Sequence, residues 1–363
     1  MHLNSVQSTT LHLIRFFCGQ AVLLAHLISQ FDWHYRTLIS MASYAVLLFF
    51  ILSGFLITHS VQQRLKDQPE YGFGAYFRDR FFRIYPPFLA ALFLTFALDL
   101  ISFEFTNQLY SLKKYFVNLG VNIFLLQEFP PAVFVNEHYM IEFFRFRYLG
   151  TNVPLWTIGL EWWIYLFFGF GLFYILRSNR IRLWQIAALC FFALSPLYYV
   201  FVSARMDSGL TLFWFLGLLI ALASKGATIH SKNTAGLFTG LLLVAAGMTL
   251  FPKIGYTNSA LLFTFGLTLF IRCSSGSQIN IPVFFKTSQF LSGYSYSLYL
   301  IHYPVILFMM TMFPSELNGY YFFLIYFAVN IIAIGFARIF EKNTSKLKQA
   351  YENYRSHTYR LQK

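Results

Sequence analysis

The sequence predicts an all-α integral membrane protein with about ten transmembrane helices and both termini in the cytoplasm. The first observation behind this is composition. Of 363 residues, 57% are hydrophobic and 11% are charged, less than half the charged content of about 25% found in soluble domains. The second is the length of the apolar runs, which fall close to 11–31, 39–60, 82–101, 156–176, 183–201, 209–224, 235–251, 257–273, 289–313 and 319–340. A bilayer core about 30 Å thick asks for roughly 20 residues of helix. The third is the placement of charge: nineteen of the 27 Lys and Arg fall on one side of those spans and seven on the other. Basic segments stay in the cytoplasm, so the net charge of +13 reads as topology and predicts no nucleic-acid partner. Residues 1–340 are expected to form one membrane domain, followed by a basic cytoplasmic tail, 341–363.

The first span, LHLIRFFCGQAVLLAHLISQF from Leu11 to Phe31, carries Arg15 and His26. Eleven positions at 100° each return to within about 20° of the same face, with roughly 16 Å between the two along the axis. A guanidinium and an imidazole in hydrocarbon each cost at least a few kcal/mol unless they are paired or line a wet cavity. Both are therefore expected in one internal pocket at two depths. The second span contains FFILSGFLI, Phe49 to Ile57, where Ser53 is a candidate pocket residue, although Ser53-Gly54 also suits close helix packing without chemistry.

The third span opens with YFRDRFFRIYPP, Tyr76 to Pro87. Arg80 and Arg83 share a helix face and Arg78 adds a third guanidinium nearby. Guanidinium forks grip phosphate oxygens in pairs, so the cluster suits a polyanion at a membrane entrance, while lipid headgroups are the plainer partner. The segment 102–155 is too long for a turn. Its short apolar run, Tyr115 to Leu126, is expected to be interfacial or re-entrant on the external face, followed by the acidic and aromatic loop EFPPAVFVNEHYMIEFFRFRY.

The fourth span opens with PLWTIGLEWWIYLFFGF, Pro154 to Phe170. Glu161 sits about one turn inside it and asks for a partner such as His26 or Arg15. Trp156 and Tyr165 are candidate pocket residues, or members of an interfacial aromatic belt. The spans between 183 and 273 carry no motif of this kind. SGYSYSLYLIHYPVILF, Ser292 to Phe308, places His302 mid-span, as a pocket residue or a hydrogen-bonded packing residue. Cys18, Cys190 and Cys273 show neither disulfide nor metal-ligand spacing, and no metal site is predicted. The tail reads as a helix on anionic lipid or as disordered chain.

Taken in order, the Arg-to-His spacing of the first span, FFILSGFLI, FRDRFFRIYPP, WTIGLEWWIY and SYSLYLIHYP resemble the membrane acyltransferase family 3, over about Leu11 to Phe340. The resemblance implies an acyl-CoA-dependent O-acyltransferase of a bacterial cytoplasmic membrane. It would take an acyl group, usually acetyl, from cytoplasmic acyl-CoA to a hydroxyl of an extracytoplasmic or lipid-linked glycan. The family's functional pair matches Arg15 and His26, with Glu161 beside it as an orienting or charge-stabilising group; its RxxR arginines match Arg80 and Arg83. The pattern departs at His12 and Phe16, where the family often has an acid and a glycine, and at Asp79-Arg80, where it doubles the arginine.

Two other classes fit some of these features. Buried Arg, His and Glu in ten spans would also suit a transporter or flippase of a polysaccharide system, though the chain shows no two halves of matching hydropathy. A non-catalytic membrane assembly subunit would keep the spans without needing His26. The sequence names neither the acceptor nor the oligomeric state.

Overall fold

The computed structural model describes residues 3–31, 36–102, 112–127, 129, 148–201, 209–224, 234–274, 282–312 and 319–361. Every regular element among them is a helix. In chain order these are α1 (Ser5–Gln30), α2 (Arg36–Asp67), α3 (Phe73–Ile101), α4 (Leu112–Ile123), α5 (Trp156–Phe170), α6 (Leu183–Phe201) and α7 (Leu210–Ala223). They are followed by α8 (Thr234–Thr249), α9 (Tyr256–Cys273), α10 (Pro282–Ser292), α11 (Ser295–Met312), α12 (Gly319–Phe336) and α13 (Thr344–Leu361). Single turns flank some of them: Val153–Leu155 leads into α5, and Ala337–Glu341 follows α12 as a wide π turn.

Seven helical stretches among the described residues are long and apolar enough to cross a membrane: Ser5–Gln30, Ser40–Asp67, Phe73–Ile101, Val153–Leu176, Leu183–Val200, Pro282–Met312 and Gly319–Arg355; these support seven of the ten expected spans. The protein is thus an integral, multi-pass membrane protein. The remaining expected spans, 209–224, 235–251 and 257–273, form helices of 14, 16 and 18 residues. At 1.5 Å per residue the shortest covers about 21 Å, less than a bilayer core.

The chain folds as two compact units. The first comprises residues 1–71 and 199–295. Its α1 begins with a capping box: the Asn4 side chain accepts the Gln7 N–H at 2.9 Å, and the Gln7 side chain accepts the Asn4 N–H at 3.0 Å. Gln7 also donates to the Ile271 carbonyl at 2.8 Å, satisfying a carbonyl that the end of α9 leaves open. One face of α1, including Leu11, Ile14, Cys18, Val22 and Leu23, is buried. Where α2 meets α7, Gly54 lies directly against the Trp214 carbonyl and Gly217 against that of Ile51. Such small residues let two backbones touch, the usual source of helix association where lipid removes the hydrophobic drive.

The second unit comprises residues 72–198 and 296–363. Its α3 has 29 residues, about 43 Å, and runs on through Pro86 and Pro87. Against it lies α4, whose start is joined to Asp99 by the Tyr115 hydroxyl at 2.7 Å and whose end is joined to the Tyr85 hydroxyl through the Ile123 carbonyl. It therefore runs back along α3 and stops partway. The chain then turns at Leu125, which takes a positive φ of 55°, and the Leu125 carbonyl accepts Trp163 Nε1 at 2.9 Å. Tyr115, Asn118, Asn122 and Leu125 are buried, so one face of this helix is covered by protein, while Phe116 and Phe124 are exposed. Residues 128 and 130–147 of the expected acidic and aromatic loop lie outside the described residues.

A polar clamp closes the same end of the unit. Asp99 accepts Thr151 Oγ1 at 2.6 Å and Thr151 N at 3.3 Å. Asn152 donates to Thr95 Oγ1 and to the Leu300 carbonyl, both at 2.9 Å. The Tyr299 hydroxyl donates to the Pro154 carbonyl at 3.0 Å. The clamp fixes the entry of α5, and hence the depth of Glu161, against α3 and α11.

Candidate functional site

In the first unit, α1 presents Arg15 and His26. Both are of intermediate exposure, less buried than Leu11 or Val22. Near the start of the helix, Ser292 Oγ lies 2.7 Å from His12 Nδ1, and the His12 ring meets Phe285 edge-on at 6.0 Å. Farther along, Gln20 Nε2 donates to the Tyr294 hydroxyl at 3.3 Å. Polar contacts from α10 and the turn after it therefore line the α1 side that carries His12 and Arg15. On α2, Ser53 accepts Trp214 Nε1 at 3.3 Å, inside the glycine contact between α2 and α7.

In the second unit, three expected residues meet in one charged cluster. Arg83 Nη1 pairs with Glu341 Oε1 at 2.8 Å, with 44% of the arginine side chain exposed and 7% of the glutamate. Ser297 Oγ donates to Glu341 Oε2 at 2.8 Å, so the carboxylate is held from two sides. The Arg83 guanidinium also lies over the Tyr296 ring, 5.5 Å from its centroid, a cation–π distance. Tyr296 in turn donates to the Ile84 carbonyl at 3.3 Å. Glu161 accepts the Tyr165 hydroxyl from one turn along α5, and its charge reaches Tyr296 as that of Arg83 does. Tyr165 is anchored through its carbonyl, which accepts the Tyr76 hydroxyl at 3.0 Å.

The remaining arginines at the start of α3 are differently placed. Asp79, between them in sequence, is taken by Lys348 of α13 at 2.5 Å. Among the described residues, Arg78 and Arg80 have no carboxylate partner, and their Nε atoms are buried without a hydrogen bond. Arg80 instead lies 5.9 Å from the centroid of the Tyr76 ring. Both guanidiniums keep hydrogen-bonding capacity for an anion, as does the exposed part of Arg83.

His302 is buried, and its Nδ1 lies 2.8 Å from the Tyr299 carbonyl and 3.1 Å from that of Leu298. That is the back-bonded packing arrangement of a helix-interior histidine. Trp156 opens α5 at the clamp. Arg15 and His26 belong to one unit and Glu161, Arg78, Arg80 and Arg83 to the other. Among the described residues no group of three or more His, Cys, Asp or Glu stands together as metal ligands do.

Sequence reasoning missed Glu341, Ser297 and Tyr296. Glu341 was visible only as an acid at the end of the last apolar run, where it reads as the start of a polar tail. Its neighbour Arg338 and the serine and tyrosines of SYSLY were the available signals, and none specifies Arg83 as the partner.

The acyltransferase domain family model, that of acyltransferase family 3, matches residues 9–338. No curated protein and no solved structure matches the chain.

Proposed function

Since the chain belongs to acyltransferase family 3 and is a membrane acyltransferase, we propose that it transfers an acyl group, acetyl foremost, from acyl-CoA to a hydroxyl of a glycan or lipid-linked saccharide. The observation that carries this reading is the asymmetry within the arginine cluster: Lys348 occupies Asp79 and Glu341 occupies Arg83, which leaves Arg78 and Arg80 to an anion from outside the protein. A nucleotide phosphate satisfies them with charge-assisted, bidentate hydrogen bonds. Arg83, still 44% exposed beside its glutamate, adds a third positive edge.

His26 is the general base. Its neutral imidazole takes the proton of the acceptor hydroxyl as the oxygen attacks the thioester carbonyl; the C–S bond then breaks and the coenzyme leaves as thiolate, to be protonated to the thiol. Arg15, about 16 Å away along α1, steadies the donor arm on its way inward. The donor enters from the cytoplasmic side, which is also the side of both termini, in a bacterial cytoplasmic membrane.

The test pairs binding with turnover. Purified protein in detergent is titrated with acetyl-CoA by calorimetry, and free thiol is followed with and without a membrane glycan extract. Binding weakened by Arg78→Ala and Arg80→Ala, with thiol release lowered by about 10²–10⁴-fold in His26→Ala, is the expected result. A folded protein that binds neither acetyl- nor succinyl-CoA overturns the reading.

A further inference from the structure

The helix α13 packs against the charged start of α3: Lys348 pairs with Asp79, the Tyr351 ring rests on Phe82 with centroids 5.7 Å apart, and just before the helix Glu341 pairs with Arg83. The level is set by charge: the turn at Asp79–Arg83 and the adjacent Arg78 need headgroups and water around them.

The face that α13 leaves uncovered is apolar. Leu347, Tyr351 and Tyr354 stand at i, i+4 and i+7, a single stripe, and are 50%, 43% and 73% exposed. Lys346 and Arg355 flank this stripe, and Lys348 reaches from its edge to Asp79 and, at 3.6 Å, to Glu352. Gln349 is exposed on the opposite face. The same apolar exposure precedes it at Ile339 and Phe340, so the stripe continues the lipid-facing side of the preceding span.

We infer that α13 is an interfacial helix that seats Leu347, Tyr351 and Tyr354 in the acyl boundary of an anionic lipid surface, with Lys346 and Arg355 on the headgroups. Both halves of the argument are on one element: an apolar stripe that stays exposed at Leu347 and Tyr354 and, beside its Phe82 contact, at Tyr351, and cations at its margins, which together define an amphipathic surface binder. The inference stands apart from the acyl-transfer reading.

Its test uses the full-length protein in nanodiscs, in a Cys190→Ser background, carrying a bimane label at Tyr354→Cys, Leu347→Cys or Gln349→Cys. The discs are made of phosphatidylcholine alone or with added phosphatidylglycerol. The expected result is several-fold stronger quenching by nitroxide-bearing lipid at positions 354 and 347 than at 349, with the reverse order for aqueous iodide. Lys346→Glu with Arg355→Glu should at least halve the lipid quenching in the phosphatidylglycerol discs. Equal iodide quenching at all three positions overturns the inference, as does lipid contact that is indifferent to phosphatidylglycerol and to the charge reversals. Labels at both 347 and 354 keep the test decisive if one variant fails to fold.

Discussion

Arg83 and Glu341 bind the beginning of one span to the end of another, and each is costly to leave alone. Removing one partner of a fully buried ion pair costs about 3–5 kcal/mol. The Arg83 side chain is 44% exposed, so Glu341→Ala should cost less, about 1–2 kcal/mol, because water can solvate the orphaned guanidinium. Thermal melts of the purified protein should show a lower midpoint, with part of the loss recovered when Arg83→Glu and Glu341→Arg are combined. A Glu341→Ala protein as stable as the parent would mean that the pair is not structural. Lys348→Ala has a different consequence. It leaves Asp79 to neutralise a neighbouring arginine, so acetyl-CoA binding by calorimetry should weaken on the order of fivefold, about 1 kcal/mol, with the melting temperature little changed. His26→Ala should lower thiol release by about 10²–10⁴-fold, the usual worth of a general base, with donor affinity retained.

At the scale of elements, glycine contacts separate helices that touch from helices that do not. A side chain at Gly217 would run into the Ile51 carbonyl, and one at Gly54 into that of Trp214. Neither obstacle is a flexible side chain, so Gly217→Ala should destabilise the first unit by about 1–3 kcal/mol, as overpacking does. Gly120, inside α4, meets nothing within 4 Å. Gly120→Ala should therefore raise the melting temperature slightly, since Ala gains about 0.5–1 kcal/mol over Gly in a helix interior. If the two variants melt alike, the close approach of α2 and α7 is wrong. The placement of α4 depends on Asp99. Asp99→Ala would leave the Tyr115 hydroxyl and Thr151 without their acceptor and free the start of α4. Protease sensitivity near residue 112 should rise while the glycine-packed first unit stays protected.

For the whole molecule, the governing quantity is the distribution of its charge. The 363-residue chain carries a net +13 on only 11% charged residues, and Arg78, Arg80 and Arg83 gather near the start of α3. Donor capture should accordingly be sensitive to salt: the apparent KM for acetyl-CoA should climb as ionic strength rises from 0.1 to 1 M and the Debye length shrinks from about 10 to 3 Å. An apparent KM independent of salt would remove the arginine cluster from donor capture. The seven helices that meet the length and hydropathy of a span carry this charge at their ends and their polar clamps inside.

Much of the molecule was legible in the sequence because a bilayer imposes a simple rule on every stretch: twenty apolar residues, helix, charges at the ends. That rule determined the all-helical membrane class, and the order of five short motifs determined the family. Arg15 and His26 could be assigned to one face because helical periodicity is local. Between 209 and 273 apolar composition alone did not fix the spans: the described helices there have 14, 16 and 18 residues. Only the tertiary structure decided which charges are spent and which are free: Glu341 on Arg83, Lys348 on Asp79, Asp99 on Tyr115 and Thr151. Those pairings join residues as much as 269 positions apart. Periodicity sets the face on which a side chain lies, but its partner is set by how helices cross, which no local pattern encodes.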